Sequence, residues 1–238
     1  MGESNQLGSC ERNAFLRRFR MMYDVGELDC TIGLAVDAQN KPTQFILLAD
    51  KLGEIESGLL DCLSRTTSLA LREGVTLDDI LGYWSGSAGF IDSPLPDVIY
   101  GQQILAYSAS FMRELGLPRP ENTPELVHPD TKTLTHRIKF YGSEFMAYMH
   151  VAYSDSDGKV YGVHLDMAQD RTFPKSLSIG IADVVSLALK HGMPLEKLVK
   201  EWKGSSFAPR GFTENPDIPF AKSVVDYAAR YIESKFMK

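Results

Sequence analysis

The sequence predicts an α+β protein in which a unit made of a strand hairpin and three helices is duplicated in tandem and packed as one pseudo-twofold body. Three observations carry this reading. The chain repeats itself: Ser68-Leu69-Ala70-Leu71 recurs as Ser186-Leu187-Ala188-Leu189, and Gly74, Leu77, Trp84, Gly86 and Ser87 recur as Gly192, Leu195, Trp202, Gly204 and Ser205, all 118 residues apart. Farther along, Pro96-Asp97-Val98 matches Pro216-Asp217-Ile218 and Tyr107 matches Tyr227 at an offset of 120, so one copy has gained two loop residues. Within each copy, alternating apolar segments precede helical apolar stripes, the order expected of strands feeding helices that cover them. The composition, 44% hydrophobic and 24% charged over 238 residues, is enough to bury one large core.

Taken in order, residues 1–27 read as an N-terminal arm. Its arginines Arg12, Arg17, Arg18 and Arg20, with Phe15 and Phe19 between them, suggest a solvated or docking segment or a short basic amphipathic helix. The first unit spans 28–117, and its hairpin turns at Asp37 to Lys41. Residues 118–130 form a linker, because Pro118, Pro120, Pro124 and Pro129 are incompatible with regular helix or a central strand. The second unit spans 131–238. There Phe145 to Tyr153 and Val160 to Leu165 flank Ser154-Asp155-Ser156-Asp157-Gly158, a turn in which Gly supplies a positive φ.

Three helices follow in each unit. The first carries Leu59, Leu63, Thr66 and Ala70, or Leu177, Ile181, Val184 and Ala188, and stops at Gly74 or Gly192, where a left-handed residue is wanted. The second repeats Leu77, Ile80, Leu81 and Trp84 as Leu195, Leu198, Val199 and Trp202. The third is expected to be capped near Asp97 or Asp217.

Several function classes are excluded. The longest apolar runs fall far short of the roughly 20 residues of a membrane span. No charged n-region and apolar h-region open the chain, which is expected to be cytoplasmic. Cys10, Cys30 and Cys62 are odd in number and widely spaced, fitting neither a disulfide framework nor a zinc knuckle. A net charge of −6 argues against general nucleic-acid binding. The commonest nucleotide, hydrolase and zinc signatures are missing, so no catalytic or metal-ligating residue is assigned. Asp155, Asp157 and Asp166 lack the Gly and bidentate Glu of a calcium loop. Trp84 and Trp202, on the leucine stripe, are expected in the core rather than stacked on a ligand.

The loop from Gly204 to Asn215 is the most suggestive segment. Its hydroxyls, backbone amides and single Arg, leading into a helix, are what an anionic, nucleotide-like ligand would use. The candidate ligand-binding residues are Ser205, Ser206, Arg210, Gly211, Thr213 and Asn215. The first unit has Ser87-Ala88-Gly89-Phe90-Ile91-Asp92-Ser93 there, without an Arg. The plainer alternative is a loop that packs Phe207 and Phe212.

The second unit also carries an ordered series that is familiar: Leu134-Thr135-His136-Arg137-Ile138-Lys139-Phe140, Asp157-Gly158, Val185 to Glu196, Phe207-Ala208-Pro209-Arg210-Gly211-Phe212-Thr213, Asn215-Pro216-Asp217-Ile218 and Ala221 to Tyr227. It resembles the C-terminal, TSCPD-type domain of adenosylcobalamin-dependent (class II) ribonucleotide reductases; the first unit matches more weakly. Some members of that family are split, with this portion made as a separate small chain. The resemblance implies a non-catalytic accessory or regulatory subunit whose partner is a catalytic reductase subunit holding the adenosylcobalamin. The alternative is a stand-alone protein that binds or sequesters a nucleotide-like molecule; a homo-oligomer is compatible with either. The Thr-Ser-Cys-Pro-Asp element that names the domain reads here Lys222-Ser223-Val224-Val225-Asp226, without its cysteine. No pair of cysteines for relaying reducing equivalents follows it, which favours a structural or regulatory role over a redox one.

Overall fold

The structure, a computed structural model, describes residues 13–23, 26–85, 91, 94–117, 126, 130–167 and 172–237. The chain is a mixed α+β protein. In the first half, β1 (Asn13–Tyr23), β2 (Gly26–Val36) and β3 (Pro42–Ala49) are followed by α1 (Glu54–Arg72), α2 (Leu77–Trp84), β4 (Val98–Tyr100) and α3 (Ile104–Glu114). In the second, β5 (Lys132–Lys139), β6 (Met146–Tyr153) and β7 (Val160–Asp166) are followed by α4 (Phe173–Lys190), α5 (Leu195–Trp202), β8 (Gly211–Phe212), β9 (Phe220–Ala221) and α6 (Val224–Phe236). The sheets run β3-β2-β1-β4, β5-β6-β7 and β8-β9; all neighbours are antiparallel except β1 and β4.

The expected N-terminal arm is corrected: residues 13–23 are a strand inside the first sheet, paired with β2 along their whole length. Strand alternation explains the arginines. Phe19 and Met21 point into the core, whereas Arg18 and Arg20 point to solvent. Arg17 lies half-buried, donating to the Leu95 carbonyl at 2.7 Å and pairing with Glu114 at 3.3 Å. The caps expected at Asp97 and Asp217 are also corrected. The third helices begin later, after Gln103 and Ser223, because β4, β8 and β9 occupy the intervening chain. The Asp97 carbonyl instead accepts the Arg20 amide at 2.8 Å, and the Asp217 amide donates to Asn215 Oδ1 at 3.0 Å. Cys10, Arg12, Gly86 to Phe90, Asp92, Ser93, His128 and the linker prolines lie outside the described residues.

The helix stripes fall where the periodicity puts them. Leu59, Leu63, Thr66 and Ala70 of α1 are buried, as are Leu177, Ile181, Val184 and Ala188 of α4. Both helices run into a left-handed glycine, Gly74 at φ +100° and Gly192 at φ +86°. Thr76 caps α2 with a reciprocal Thr76–Asp79 capping box.

Each long helix runs beside the outer strand of its sheet. On α1, Ser68 Oγ accepts from the Phe45 amide (3.0 Å) and contacts the Phe45 carbonyl (3.1 Å), while Ser64 Oγ does the same for Leu47 (3.1 and 3.3 Å). These hydroxyls satisfy backbone groups that an unpaired outer strand would leave to solvent. On α4, Ser178 Oγ donates to the Leu165 carbonyl of β7, and Ser186 Oγ lies against Gly162.

Buried side chains of both halves form one continuous cluster. α1 and α3 both pack on α4 at Gly180, where a Cβ would lie 3.2 Å from Leu63 Cδ1 of α1 and 2.6 Å from Leu105 Cδ2 of α3. Trp202 of α5 is fully buried and donates its indole N–H to Thr66 Oγ1 of α1 at 3.0 Å. Trp84 of α2 is as buried, but its indole nitrogen has no hydrogen-bond partner among the described residues.

Candidate functional site

The segment from Gly204 to Asn215 is anchored by a carboxylate that leads α6. Gly204, at φ +89°, turns the chain out of α5, and its amide donates to Asp226 Oδ1 at 2.7 Å. The Lys222 amide donates to Asp226 Oδ2 at 2.9 Å, and Arg230 Nε lies 3.1 Å from both oxygens. Asp226 is fully buried, so these donors replace the water it has lost. Ser223 caps the helix by accepting the Asp226 amide at 3.0 Å, and its hydroxyl donates to the Ser205 carbonyl at 2.8 Å. The Ser and Asp of the Lys222-Ser223-Val224-Val225-Asp226 element are therefore a cap and a clamp that join α6 to the loop.

The six candidate residues do not converge. Ser205, Ser206 and Arg210 line a cleft of about 390 Å³ against the start of α1, opposite Glu54, Ser57 and Asp61. Phe207 packs onto Gly58 beside it, where a Cβ would come within 2.1 Å of the ring. Ser205 Oγ accepts from Arg65 Nη2 at 2.9 Å. Arg65 also binds Asp61 (2.7 Å) and both the Glu201 carboxylate and carbonyl (2.7 Å each), tying α1 to α5. Arg210 stands 3.6 Å from Glu54 with both side chains largely exposed. The cleft thus sets the Glu54 carboxylate beside Arg210, while Asp61, on the same wall, is taken by Arg65.

Gly211 is spent on β8, where its φ of +145° suits glycine. Thr213 and Asn215 serve the turn that follows. Thr213 Oγ1 donates to the Ile218 carbonyl and accepts the Asn215 amide at 3.2 Å. Asn215 donates through Nδ2 to Tyr227 Oη at 2.9 Å. These two residues form the floor of a different notch, about 420 Å³, walled by Tyr141, Phe212, Glu214, Pro216 and Pro219.

Behind this turn, Tyr227 Oη lies 2.8 Å from His136 Nε2, and His136 stacks on Tyr231 at 4.0 Å between ring centres. Oη also accepts from Asn215, and the direction of its bond with His136 follows the ring's tautomer. Burial lowers the His136 pKa, which favours the neutral ring, and raises that of the Tyr227 hydroxyl. This trio is a packed structural relay. Burial also pushes the Cys30 and Cys62 thiols up to about 12, which keeps them protonated and inert as nucleophiles. Among the described residues, no group of three or more His, Cys, Asp or Glu could hold a metal ion. No described helix is long and apolar enough to cross a membrane.

A surface that the sequence reading passed over adjoins the notch. Phe212 (66% exposed) and Phe220 (46%) are paired across the β8–β9 ribbon with ring centres 5.6 Å apart. Tyr141 (66%) joins them, since its amide donates to the Phe212 carbonyl at 2.8 Å. Exposed Met146 and Tyr148 of β6 continue the patch across from Lys139 and Arg137 of β5. Those two cations share one carboxylate, Glu214, at 3.1 and 3.3 Å. The available signal was Phe212 and Phe220 standing outside every apolar stripe.

Comparison with known proteins places this half of the chain. Residues 120–236 match the TSCPD domain. Those residues are a TSCPD-type domain of the kind carried by vitamin B12-dependent ribonucleotide reductases. The vitamin B12-dependent ribonucleotide reductase of Rhodopirellula baltica is 36% identical over 110 residues, 46% of this chain and 10% of that protein. That of Streptantibioticus cattleyicolor is 32% identical over 75 residues, 32% of this chain and 12% of that protein. The matched region is thus about a tenth of the length of these relatives. No solved structure matches the chain.

Proposed function

We propose that this chain is a non-catalytic accessory subunit of adenosylcobalamin-dependent ribonucleotide reduction, acting by docking to a separate catalytic polypeptide that holds the cobalamin. The observation that carries the reading is the TSCPD-type domain at residues 120–236, which makes up only a small part of the reductases it matches. The geometry supports a docking role: the backbone of the 204–215 segment is tied to α6 at Gly204 and Ser205, and Asn215 is spent on Tyr227, while the Phe212 ring faces outward. The first half is read as a diverged duplicate of the second, supported by the 118-residue offset and the shared order of three antiparallel strands followed by helices.

The test is to mix the chain with the vitamin B12-dependent reductase polypeptide encoded in the same genome and follow complex formation by sedimentation velocity. A stoichiometric complex and a change in reductase turnover are expected; two independently sedimenting species and unchanged turnover would overturn the reading. The second reading, a nucleotide-like ligand at Ser205, Ser206 and Arg210, rests on the cleft at α1. A melting-temperature rise with a nucleoside phosphate, lost in Arg210→Ala, would put that reading first.

A further inference from the structure

We infer that the two halves meet as the subunits of a twofold dimer do, each supplying the same elements to the interface, and that the first half is the built-in partner covering the pairing face of the TSCPD-type half. The inference stands apart from the accessory role. In a twofold pairing, a contact between one position of the first unit and another of the second recurs with its ends exchanged. The helices follow that rule: α1 packs on α4, and the second helix of each half lies against the first helix of the other, α5 on α1 and α2 on α4. Two polar contacts follow it residue by residue. Glu73, which ends α1, accepts from Lys197 Nζ in the first turn of α5 at 2.6 and 2.8 Å. The 118-residue offset carries Glu73 to His191 and Asp79 to Lys197. His191, which ends α4, lies through Nε2 3.1 Å from Asp79 Oδ2 in the first turn of α2. At the offset of Arg65 and Glu201 stand Asp183 and Tyr83, so the pairing is twofold in its build and not in every bond.

The face covered in this way is built for close approach. α4 packs on β7 of its own sheet and on α1, α2 and α3 of the first half, and its Leu177, Gly180, Ile181 and Val184 are buried. At Gly180 a Cβ would lie 3.2 Å from Leu63 Cδ1 and 2.6 Å from Leu105 Cδ2, so a larger residue would push the first half away. Phe173, at the start of α4, meets Gly101 of the first half, where a Cβ would lie 2.9 Å from its own Cβ, and its ring stands edge-on to Tyr23 at 5.3 Å. Without the first half, α4 would bare an apolar side of the kind that marks interaction sites, and the Trp202 indole would lose its acceptor, Thr66. The occupant of that face is seated on it: a unit with the same order of three antiparallel strands followed by helices. What fits the face is another unit of the same build, and this chain carries its own.

The experiment starts from the full chain, with a specific protease site placed between Pro118 and Pro124 so that the folded protein can be cut between its halves. The two pieces are expected to stay together, eluting at the mass of the intact chain with its circular-dichroism spectrum. Pieces that part in native buffer while each keeps its secondary structure would overturn the inference. In the cut protein, Thr66→Val removes the acceptor of the Trp202 indole across the interface and should weaken the pairing about tenfold. Glu73→Lys and Lys197→Glu should each weaken it about twofold to fivefold, and together restore most of the loss. Effects that add instead of cancelling would remove that link from the interface and with it the residue-level symmetry. If the cut protein does not hold its fold, the uncut chain decides. Trp202→Phe leaves Trp84, in the first half, as the sole tryptophan of the two. Adding Leu198→Ala in α5 should then move the Trp84 fluorescence midpoint in urea as far as the ellipticity midpoint. A Trp84 transition that stays in place while the ellipticity moves would overturn the inference.

Discussion

Two buried tryptophans 118 residues apart, Trp202 with a hydrogen-bond acceptor and Trp84 with none among the described residues, allow the worth of a single hydrogen bond to be measured in both directions. Trp202 donates to Thr66 Oγ1 at 3.0 Å, with the two residues 0% and 1% exposed. The substitution Thr66→Val keeps the volume but leaves the indole N–H buried without an acceptor, at about 1–3 kcal/mol. At roughly 2.1 cal/mol/K per residue, the unfolding entropy of a chain this size is about 0.5 kcal/mol/K near 60 °C, so 2 kcal/mol lowers Tm by about 4 °C. The residue standing to Trp84 as Thr66 stands to Trp202, at the same 118-residue offset, is Val184, which has no acceptor, and Trp84 Nε1 has no partner among the described residues. On the reading of the two halves as duplicates, Val184→Thr is expected to supply the missing oxygen. The relieved donor outweighs the cost of burying one bonded hydroxyl, and stability rises by about 0.5–1 kcal/mol. Differential scanning calorimetry of the two variants and the wild type reads both signs. A Thr66→Val variant within about 0.3 kcal/mol of wild type would refute the argument, as would a Val184→Thr variant that loses as much as Thr66→Val does; the bond's worth would then lie within ordinary surface-substitution scatter.

Two further outcomes follow from other contacts. Gly58→Ala drives a methyl to within 2.1 Å of the Phe207 ring and should cost about 1–3 kcal/mol in urea unfolding, with Phe207→Leu in the same chain recovering part of the loss; no change in midpoint would mean that Phe207 does not rest on α1. Asp183 of α4 is half-buried, and burial pushes its carboxyl from 3.8 up to about 7. Its folded-state pKa lies above the unfolded one, so stability is fully present below about 3.8 and falls as pH rises through about 7. Asp183→Asn should remove that decline and be the more stable chain at pH 8. Parallel stability–pH profiles for the two chains would refute the assignment.

How far the sequence was legible depended on what holds each element. Helices α1, α2, α4 and α5 were readable because their own stripes, such as Leu195, Leu198, Val199 and Trp202, face the core at helical spacing. The hairpins were readable from turn chemistry at Asp37 to Lys41 and Asp157-Gly158. β1 was not, because four arginines over nine residues read as a charged segment, although Phe19, between two of them, and Met21, just after the last, alternate inward. β4, β8 and β9 are two or three residues long and exist through their partners, so no local pattern announces them. In the candidate site, hydroxyl and amide groups were read as seeking a ligand. Thr213 and Asn215 instead bond their own turn and Tyr227, the common fate of such side chains in loops. Nothing local in the sequence shows that Arg65 reaches 136 residues along the chain to Glu201.

The serines that α1 sets against β3 have a consequence for how the first half opens. Amides on an outer strand ordinarily exchange with water through small fluctuations of that strand alone. Here the Phe45 and Leu47 amides are held by Ser68 and Ser64 of a helix whose opposite side is locked into the shared core. Exchange of these two amides requires the Ser68 and Ser64 contacts to break, so the rim of this sheet moves with the helix beside it.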